Sequence, residues 1–177
     1  VLEGKPKFGM IKLGMSNGSY GNGCNGKSIL NIFEGGRMIF QNTACLSNNF
    51  TINIGRQGVL KIGNNFWSNY GLLISCSNKI MFGDDTLLGW NCTFLDSDGH
   101  KMFPLADKNG YDSNSATVNI GNHVWFTSNT ITLKGGGVGD NCVVAQGCVL
   151  TKKFNISNVC MGGVPARVIK ESIMWEK

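Results

Sequence analysis

The sequence is poor in charge, in proline and in histidine. Charged residues make up 15% of the 177 residues, and there are only 3 Pro and 2 His, whereas soluble domains usually carry about 25% charged residues. No apolar run approaches the ~18 residues of a membrane span, and the N-terminus lacks the basic-then-apolar pattern of a signal peptide. The hydrophobic fraction of 42% argues against disorder. We therefore expect a single folded domain without an integral membrane segment, in the cytoplasm.

The cysteines lack the spacing of a disulfide framework or a zinc site. There are 7 of them, an odd number, and none form a CxxC pair. We expect small buried side chains in a reducing compartment and no metal. The net charge of +5 suits an anionic partner, but there is no Lys/Arg run typical of nucleic-acid binding.

A six-residue repeat is the strongest pattern in the sequence. Seven positions, six of them apolar, recur at this spacing: Ile120, Phe126, Thr132, Val138, Val144, Leu150 and Ile156. Four places after these anchors come mostly small residues, namely Val124, Thr130, Gly136, Cys142 and Cys148. The same spacing recurs upstream, with slips, in the sets Phe40, Leu46, Ile52; Ile62, Ser68, Ile74, Ile80; and Phe82, Leu88, Phe94. The pattern fails at Phe154, where we expect the repeat to end.

A period of six indicates short strands joined by sharp corners. A strand repeats every two residues and a helix every 3.6, so neither produces this spacing alone. If each strand and its corner use six residues, three units close a triangular coil with the anchors inside. The 25 Gly and the many Asn tolerate the positive φ of such corners. We predict an all-β parallel β-helix, which fits the unbroken register better than a β-sandwich with Gly-rich turns.

The C-terminal part of the repeat resembles a known family. The stretches VGDNCVVAQGCVLTKKF and GGVPARVIK resemble the hexapeptide-repeat acyltransferases, over about residues 29–172. Within that group, FGDDTLLGWNCTFLDSDGHKM is similar to sugar O-acetyltransferases, and IFEGGRMIF and the D-S-D-x-H run favour those that modify cell-surface polysaccharides. The resemblance implies a left-handed parallel β-helix that assembles as a homotrimer and uses acetyl-CoA as co-substrate.

We divide the chain accordingly. Residues 1–164 are predicted to form the left-handed β-helix domain, with an irregular start over 1–28 and a protruding polar loop at about 99–117. Long loops in compact domains are often functional. The apolar spacing of residues 165–177 predicts a short amphipathic α-helix that begins near Pro165 or Ala166.

The reaction needs a general base, because a sugar hydroxyl is a poor nucleophile at neutral pH. An imidazole has an unperturbed pKa near 6.5 and typically contributes about 10²–10⁴-fold. His100 matches the catalytic base of the family, whereas His123 is expected to face outward as decoration. A base needs an orienting group, for which Asp98, Asp96 or a backbone carbonyl are all suitable.

The resemblance also implies binding residues. Asn69 matches an active-site asparagine near the acceptor or the oxyanion, although Asn is also a favoured corner residue here. Trp125 matches an outward aromatic at the cleft, and Asp96 is assigned with it to the acceptor site. The coenzyme A arm is expected to contact Ser128, Gln146, Thr151, Lys152, Arg167 and Lys170. Gln146 replaces a usually smaller residue and could narrow the acyl channel.

The predicted function is an acetyl-CoA-dependent O-acetyltransferase acting on a sugar hydroxyl. We compare it with three alternative functions. N-acetylation of an amino-sugar nucleotide is the alternative, but those enzymes commonly carry an extra N-terminal nucleotide-binding domain. A non-catalytic or ice-binding β-helix would show a regular Thr array on one face, which this sequence lacks. The γ-class carbonic anhydrases need three His for zinc, and this chain has 2.

Overall fold

The fold is built almost entirely from very short strands. The computed structural model of the chain describes residues 1–14, 26–106 and 114–176. In chain order the strands are β1 (Ile11–Leu13), β2 (Ile29–Ile32), β3 (Arg37–Phe40), β4 (Ala44–Leu46), β5 (Thr51–Ile54), β6 (Val59–Ile62), β7 (Phe66–Ser68), β8 (Leu73–Cys76), β9 (Lys79–Phe82), β10 (Leu87–Leu88), β11 (Thr93–Leu95), β12 (Val118–Ile120), β13 (Trp125–Phe126), β14 (Ile131–Thr132), β15 (Gly137–Val138), β16 (Val143–Val144), β17 (Val149–Leu150), β18 (Lys153–Phe154), β19 (Cys160–Gly162) and β20 (Arg167–Lys170).

The strands form three parallel sheets that are the faces of a triangular prism. The first face holds β2, β5, β8, β11, β14 and β17, and the second holds β3, β6, β9, β12, β15 and β18. The third face runs from β1 through β4, β7, β10, β13 and β16 to β19, with β20 added antiparallel at its end. The predicted left-handed parallel β-helix is confirmed. We call the edges the first corner (first to second face), the second corner (second to third) and the third corner (third to first).

The interior is filled by the predicted anchors. Ile120, Phe126, Thr132, Val138, Val144 and Leu150 are each at most 2% exposed. The small residues four places later, Val124, Thr130, Cys142 and Cys148, are also at most 2% exposed, and Gly136 is buried. Four aromatic rings stack edge-to-face along the axis, with Phe66–Phe82, Phe82–Phe94 and Phe94–Phe126 centroids at 5.1, 4.8 and 5.1 Å. Such pairs contribute about 0.5–1.5 kcal/mol beyond the area that they bury.

Asparagine makes the corners, as the composition predicted. Among the described residues, ten non-glycine residues have positive φ, and six of them are Asn. This left-handed conformation is costly for most L-residues, but the short polar side chain of Asn tolerates it. These Asn residues lie at the second and third corners, whereas the first corner turns on Gly35, Gln57, Gly99 and Gly135.

The prediction that Ile156 is an inward-facing anchor is wrong. Ile156 is 37% exposed, and Phe154 occupies the inward position of the last second-face strand, paired with Val138. The chain reaches this strand directly from β17, so the last coil is shorter and its inward residue comes earlier.

The predicted C-terminal α-helix is also wrong. Residues 167–170 form β20, which pairs antiparallel with β19 through Met161↔Val168 and Gly162↔Arg167. The edge of β19 offers backbone N–H and C=O groups that need hydrogen-bond partners, and an added strand supplies them. A helix of so few residues, preceded by glycine, would be only marginally stable in water. No helix in the described part of the chain is long and apolar enough to span a membrane.

The loop and the N-terminal segment are described only in part. The chain leaves the first corner after β11 and returns before β12, so the predicted loop of about 99–117 stands at that corner. Residues 107–113 of the loop and residues 15–25 of the irregular start lie outside the described residues. Within 1–28 the structure shows β1, paired with β4.

Candidate active site

His100 lies at the first corner, at the start of the loop, and is exposed. The base of this loop is a short antiparallel pairing. The Asp98 N–H donates to the Asn114 carbonyl at 2.8 Å, the Ala116 N–H donates to the Asp96 carbonyl at 2.9 Å, and Ser97 bridges Ser115. The imidazole is therefore carried just beyond an ordered stem and faces outward from the prism.

Asp96 belongs to the fold, and its assignment to the acceptor site is wrong. The residue is 0% exposed, and its two carboxylate oxygens accept hydrogen bonds from the N–H groups of Ser77 (2.7 Å) and Asn78 (2.8 Å). These bonds satisfy a corner of the preceding coil. A side chain with no exposed surface does not contact a sugar.

Asp98 is held by a residue that the sequence did not single out. Its Oδ2 lies 2.5 Å from Nζ of Lys134, with the two side chains 33% and 25% exposed. Lys134 follows β14 at the same corner, one coil further along. The carboxylate expected to orient His100 is thus engaged in an ion pair with the next coil.

Asn69, Ser128 and Gln146 line the third corner. Each follows a third-face strand, and the register Ser68↔Leu88↔Phe126↔Val144 stacks these corner segments above one another. Asn69 is half-buried, and its Oδ1 accepts a hydrogen bond of 3.4 Å from the indole Nε1–H of Trp67. This contact directs the amide oxygen of Asn69 towards the indole of Trp67.

Two large aromatics lie on the third face and at its corner. Trp125 lies half-buried on the outside of the third face, in register with Leu87 and Trp67, and its ring centroid is 5.9 Å from that of Trp175. Trp90 is 38% exposed at the corner itself, where its backbone N–H donates to Ser128 Oγ at 3.4 Å. Sequence reasoning missed Trp90, although it lies two places after the anchor Leu88, where the other repeats carry smaller residues.

The remaining coenzyme residues lie elsewhere. Thr151 and Lys152 are exposed at the first corner, just after β17, and Lys152 Nζ lies 5.4 Å from the Phe154 ring centroid. Arg167 and Lys170 are exposed at the two ends of β20. Both Arg167 and Ile169 border an open depression beside the turn that precedes β20.

The predicted site is therefore split between two corners of one chain. His100, Asp98, Thr151 and Lys152 lie at the first corner, and Asn69, Ser128 and Gln146 lie at the third. The first face lies between these two groups of residues. Four to five residues at about 3.3 Å each give a separation of roughly 15 Å. A single chain does not bring the imidazole of His100 to the amide of Asn69.

His123 is packed into the structure. Its ring stacks on that of Trp175, with centroids 4.2 Å apart and planes 8° from parallel. Its Nδ1 lies 3.1 Å from Asn141 Oδ1, and its carbonyl accepts a hydrogen bond of 2.9 Å from the Trp175 indole. His123 lies at a corner and points away from the prism interior, as expected, but its ring packs against Trp175.

The buried cysteines are poor nucleophiles. Burial raises the pKa of Cys76 to about 12, with a further contribution from Asp96, and burial raises the pKa of Cys148 to about 11. Burial also raises the pKa of Cys92 and Cys142. Since the thiolate is the reactive form, these interior residues do not offer a route through an acetyl-cysteine intermediate.

The chain is similar to known sugar O-acetyltransferases. It is 38% identical over 112 residues to the galactoside O-acetyltransferase of Escherichia coli, covering 63% of this chain and 54% of that protein. It is 36% identical over 108 residues to the polysialic acid O-acetyltransferase of Neisseria meningitidis, covering 60% of this chain and 49% of the relative. No model of a known protein family matches the sequence.

A solved structure gives the same likeness. A galactoside acetyltransferase in complex with coenzyme A is 30% identical, with a TM-score of 0.54, over 82% of this chain and 64% of the other. The chain spans about half the length of the curated relatives that it matches. The resemblance drawn from the sequence is confirmed: the relatives and structural neighbours are O-acetyltransferases of the hexapeptide-repeat kind.

Proposed function

We propose that this chain is an acetyl-CoA-dependent O-acetyltransferase that acts on a sugar hydroxyl. The observation that carries the proposal is the exposed His100 at the base of the corner loop, in a chain whose relatives bear the names of sugar O-acetyltransferases. The second histidine is stacked under a tryptophan, so His100 is the imidazole available to an incoming substrate.

In the proposed mechanism His100 acts as a general base. Its neutral imidazole takes the proton of the acceptor hydroxyl as the oxygen attacks the thioester carbonyl of acetyl-CoA. The tetrahedral intermediate collapses with cleavage of the carbon–sulfur bond, and the imidazolium returns its proton to the departing thiolate of coenzyme A. The amide nitrogen of Asn69, whose oxygen is held by Trp67, donates to the developing oxyanion or to the acceptor.

The site is completed by a second subunit. If the first corner of one subunit packs against the third corner of the next, His100 of one chain lies opposite Asn69 of the other. Repeating this head-to-tail contact about a threefold axis closes a homotrimer with three equivalent sites. The separation of the two residue groups on one chain supports this arrangement.

The same cleft is proposed to hold the donor. Ser128 and Gln146 would contact the pantetheine arm from one subunit, and Thr151 and Lys152 from its neighbour. Arg167 and Lys170 are exposed cations at the end of the prism, suited to the phosphates, and a guanidinium can bind a phosphate through two hydrogen bonds. The net charge of +5 favours this anionic donor.

The acceptor is proposed to be a cell-surface polysaccharide or its precursor. The meningococcal relative, named for polysialic acid, supports this class, and the exposed Trp90 and the half-buried Trp125 are aromatic side chains suited to packing against sugar rings. The free cysteines found among the described residues, together with acetyl-CoA as donor, favour a reaction in the cytoplasm.

Replacement of the base tests the proposal. His100→Gln should lower kcat for acetyl transfer by about 10²-fold or more, with the KM for acetyl-CoA within about threefold, because the base acts in the transition state. Thiol release from acetyl-CoA is measured with monosaccharides, oligosaccharides, sugar nucleotides and amino-sugar nucleotides as acceptors.

His123→Asn is the matched control, because Asn tolerates the positive φ of that corner. Its kcat should equal that of wild type at a temperature where both are folded. Turnover of His100→Gln near the wild-type rate would refute the general-base role. Thiol release only with amino sugars would replace O-acetylation by N-acetylation.

A further inference from the structure

The His100 loop is tied to the coil that follows it by one charged side chain. Lys134 leaves the first corner after β14, and its Nζ reaches Asp98 Oδ2 at 2.5 Å. Only 25% of the lysine side chain is exposed, so its stem packs along the prism while its ammonium meets the loop. The pair joins residues of different coils and was not expected from the sequence.

The stem of the loop is anchored on both sides. The buried Asp96 carboxylate accepts two backbone hydrogen bonds from the preceding coil. On the side of the following coil, the Gly135 N–H donates to the Ala116 carbonyl at 3.1 Å, next to Lys134. Asp98 is the outermost of these stem positions and lies two residues before His100.

The path from Asp98 to His100 is short and bent. Gly99 has a φ of 77°, a conformation that favours glycine, and its N–H donates to Ser97 Oγ at 3.1 Å. Since only this tight turn separates the two residues, a displacement of Asp98 displaces the backbone of His100 as well.

We propose that Lys134 is a positioning residue for His100. Its ion pair holds Asp98, and through the turn at Gly99 it fixes where the imidazole is presented. It also keeps the Asp98 carboxylate on the prism instead of on the imidazole, so Asp98 acts through the loop backbone. This inference rests on the proposed general-base role of His100.

The test compares single and double removal of the pair. Lys134→Met and Asp98→Asn should each lower kcat for acetyl transfer by about tenfold, since small misplacements of reacting groups cost up to about 10²-fold, with the KM for acetyl-CoA within twofold. The double variant should be no slower than either single variant, because both remove one interaction. Lys79→Met, which removes an exposed lysine of the second face, is the control and should match wild type.

The pH profile separates this role from direct contact with the imidazole. An Asp98 carboxylate on the ring would stabilise the imidazolium, so Asp98→Asn would lower the apparent pKa in kcat/KM, and Lys134→Met would leave kcat near wild type. That combination would overturn the proposal. We expect the two variants to lose kcat together, with midpoints close to that of wild type.

Hydrogen exchange gives a readout that does not depend on activity. The amides of Asp98 and Ala116, which donate at the loop stem, should exchange about tenfold faster in Lys134→Met than in Lys79→Met. If wild type transfers no acetyl group, the proposed function fails, and the exchange data alone then report on the ion pair. Unchanged exchange, or faster exchange with full kcat, would overturn the positioning role.

Discussion

At the scale of single residues, the prism interior contains a polar anchor. Thr132 is 0% exposed, and its hydroxyl has no hydrogen-bond partner in the part of the chain that the structure describes. A buried hydroxyl without a partner has lost its contacts with water and gained none. Thr132 thus fills space as an aliphatic residue would, at an energetic disadvantage.

Replacing this hydroxyl should stabilise the protein. Thr132→Val keeps the shape and should raise the free energy of unfolding by about 1 kcal/mol. The matched control is Thr130→Val, because the Thr130 hydroxyl is also buried but donates to Cys92 Sγ at 3.3 Å, and its loss should cost about 0.5–1 kcal/mol. Urea unfolding of both variants measures the difference, and a destabilised Thr132→Val would show that its hydroxyl is satisfied.

Individual site residues could be assigned only where a stretch of the sequence resembles a known family. His100 and Asn69 could be named because they match functional positions of sugar O-acetyltransferases, and their roles are proposals. The Lys134–Asp98 pair could not, since it depends on which coils stack. Asp96 was assigned to the acceptor because burial of a carboxylate under two backbone N–H groups leaves no trace in a six-residue period.

At the scale of elements, the C-terminal segment is a strap across the second corner. After β20 the chain crosses to the stack of His123, Asn141 and Asn158, where the Ile173 N–H donates to the Asn158 carbonyl at 2.9 Å. Trp175 then covers His123 and is only 9% exposed. The segment that was expected to be a helix instead closes this corner with one aromatic ring.

Removal of that ring should weaken the fold. Trp175→Ala should lower the free energy of unfolding by about 3 kcal/mol, since the stacking and the buried area are lost. Trp175→Phe keeps most of the packing but loses the indole hydrogen bond and should cost about 1 kcal/mol. Met174→Ala, at a residue 84% exposed, should stay within about 0.5 kcal/mol. Equal values for Trp175→Ala and Met174→Ala would contradict the strap.

Elements were predictable where the repeat is regular. From Leu46 to Leu150 each anchor falls inside, because inward volume and corner conformation impose the same spacing on every coil. The last coil departs from it, since β18 is the end strand of the second face and no described strand beyond it imposes register on Phe154. The C-terminal helix was predicted wrongly because the apolar residues of this segment fit either a short helix or an added strand. The free edge of β19, which the sequence does not show, decides in favour of the strand.

At the scale of the whole molecule, splitting the site between corners predicts that two inactive variants restore each other. His100→Gln and Asn69→Ala should each lower kcat by about 10²-fold or more when expressed alone. When the two chains are co-expressed and assemble at random, about one quarter of the subunit contacts combine an intact His100 with an intact Asn69. Selecting trimers that carry both tags removes the homotrimers, and every mixed trimer has one such contact of three, so its thiol release should recover to roughly one third of wild type.

The oligomeric state provides the control for this experiment. Light scattering should give a mass of about three chains for wild type and for both variants. A mixed trimer without recovered activity would place both residues in one chain's site, and a monomeric wild type would remove the shared cleft altogether.

The long loop between β11 and β12 has one more consequence, for how the protein tolerates changes in loop length. Paired residues on neighbouring coils are ordinarily about 20 positions apart, as for Ile62 and Phe82, whereas the coil with the loop separates Phe82 from Ile120 by 38. Chain-closure entropy grows only with the logarithm of this separation, so the detour costs about 0.6 kcal/mol. Lengthening or exchanging this loop is therefore thermodynamically inexpensive, and the proposed acceptor preference could change while the parallel strands on either side remain as they are.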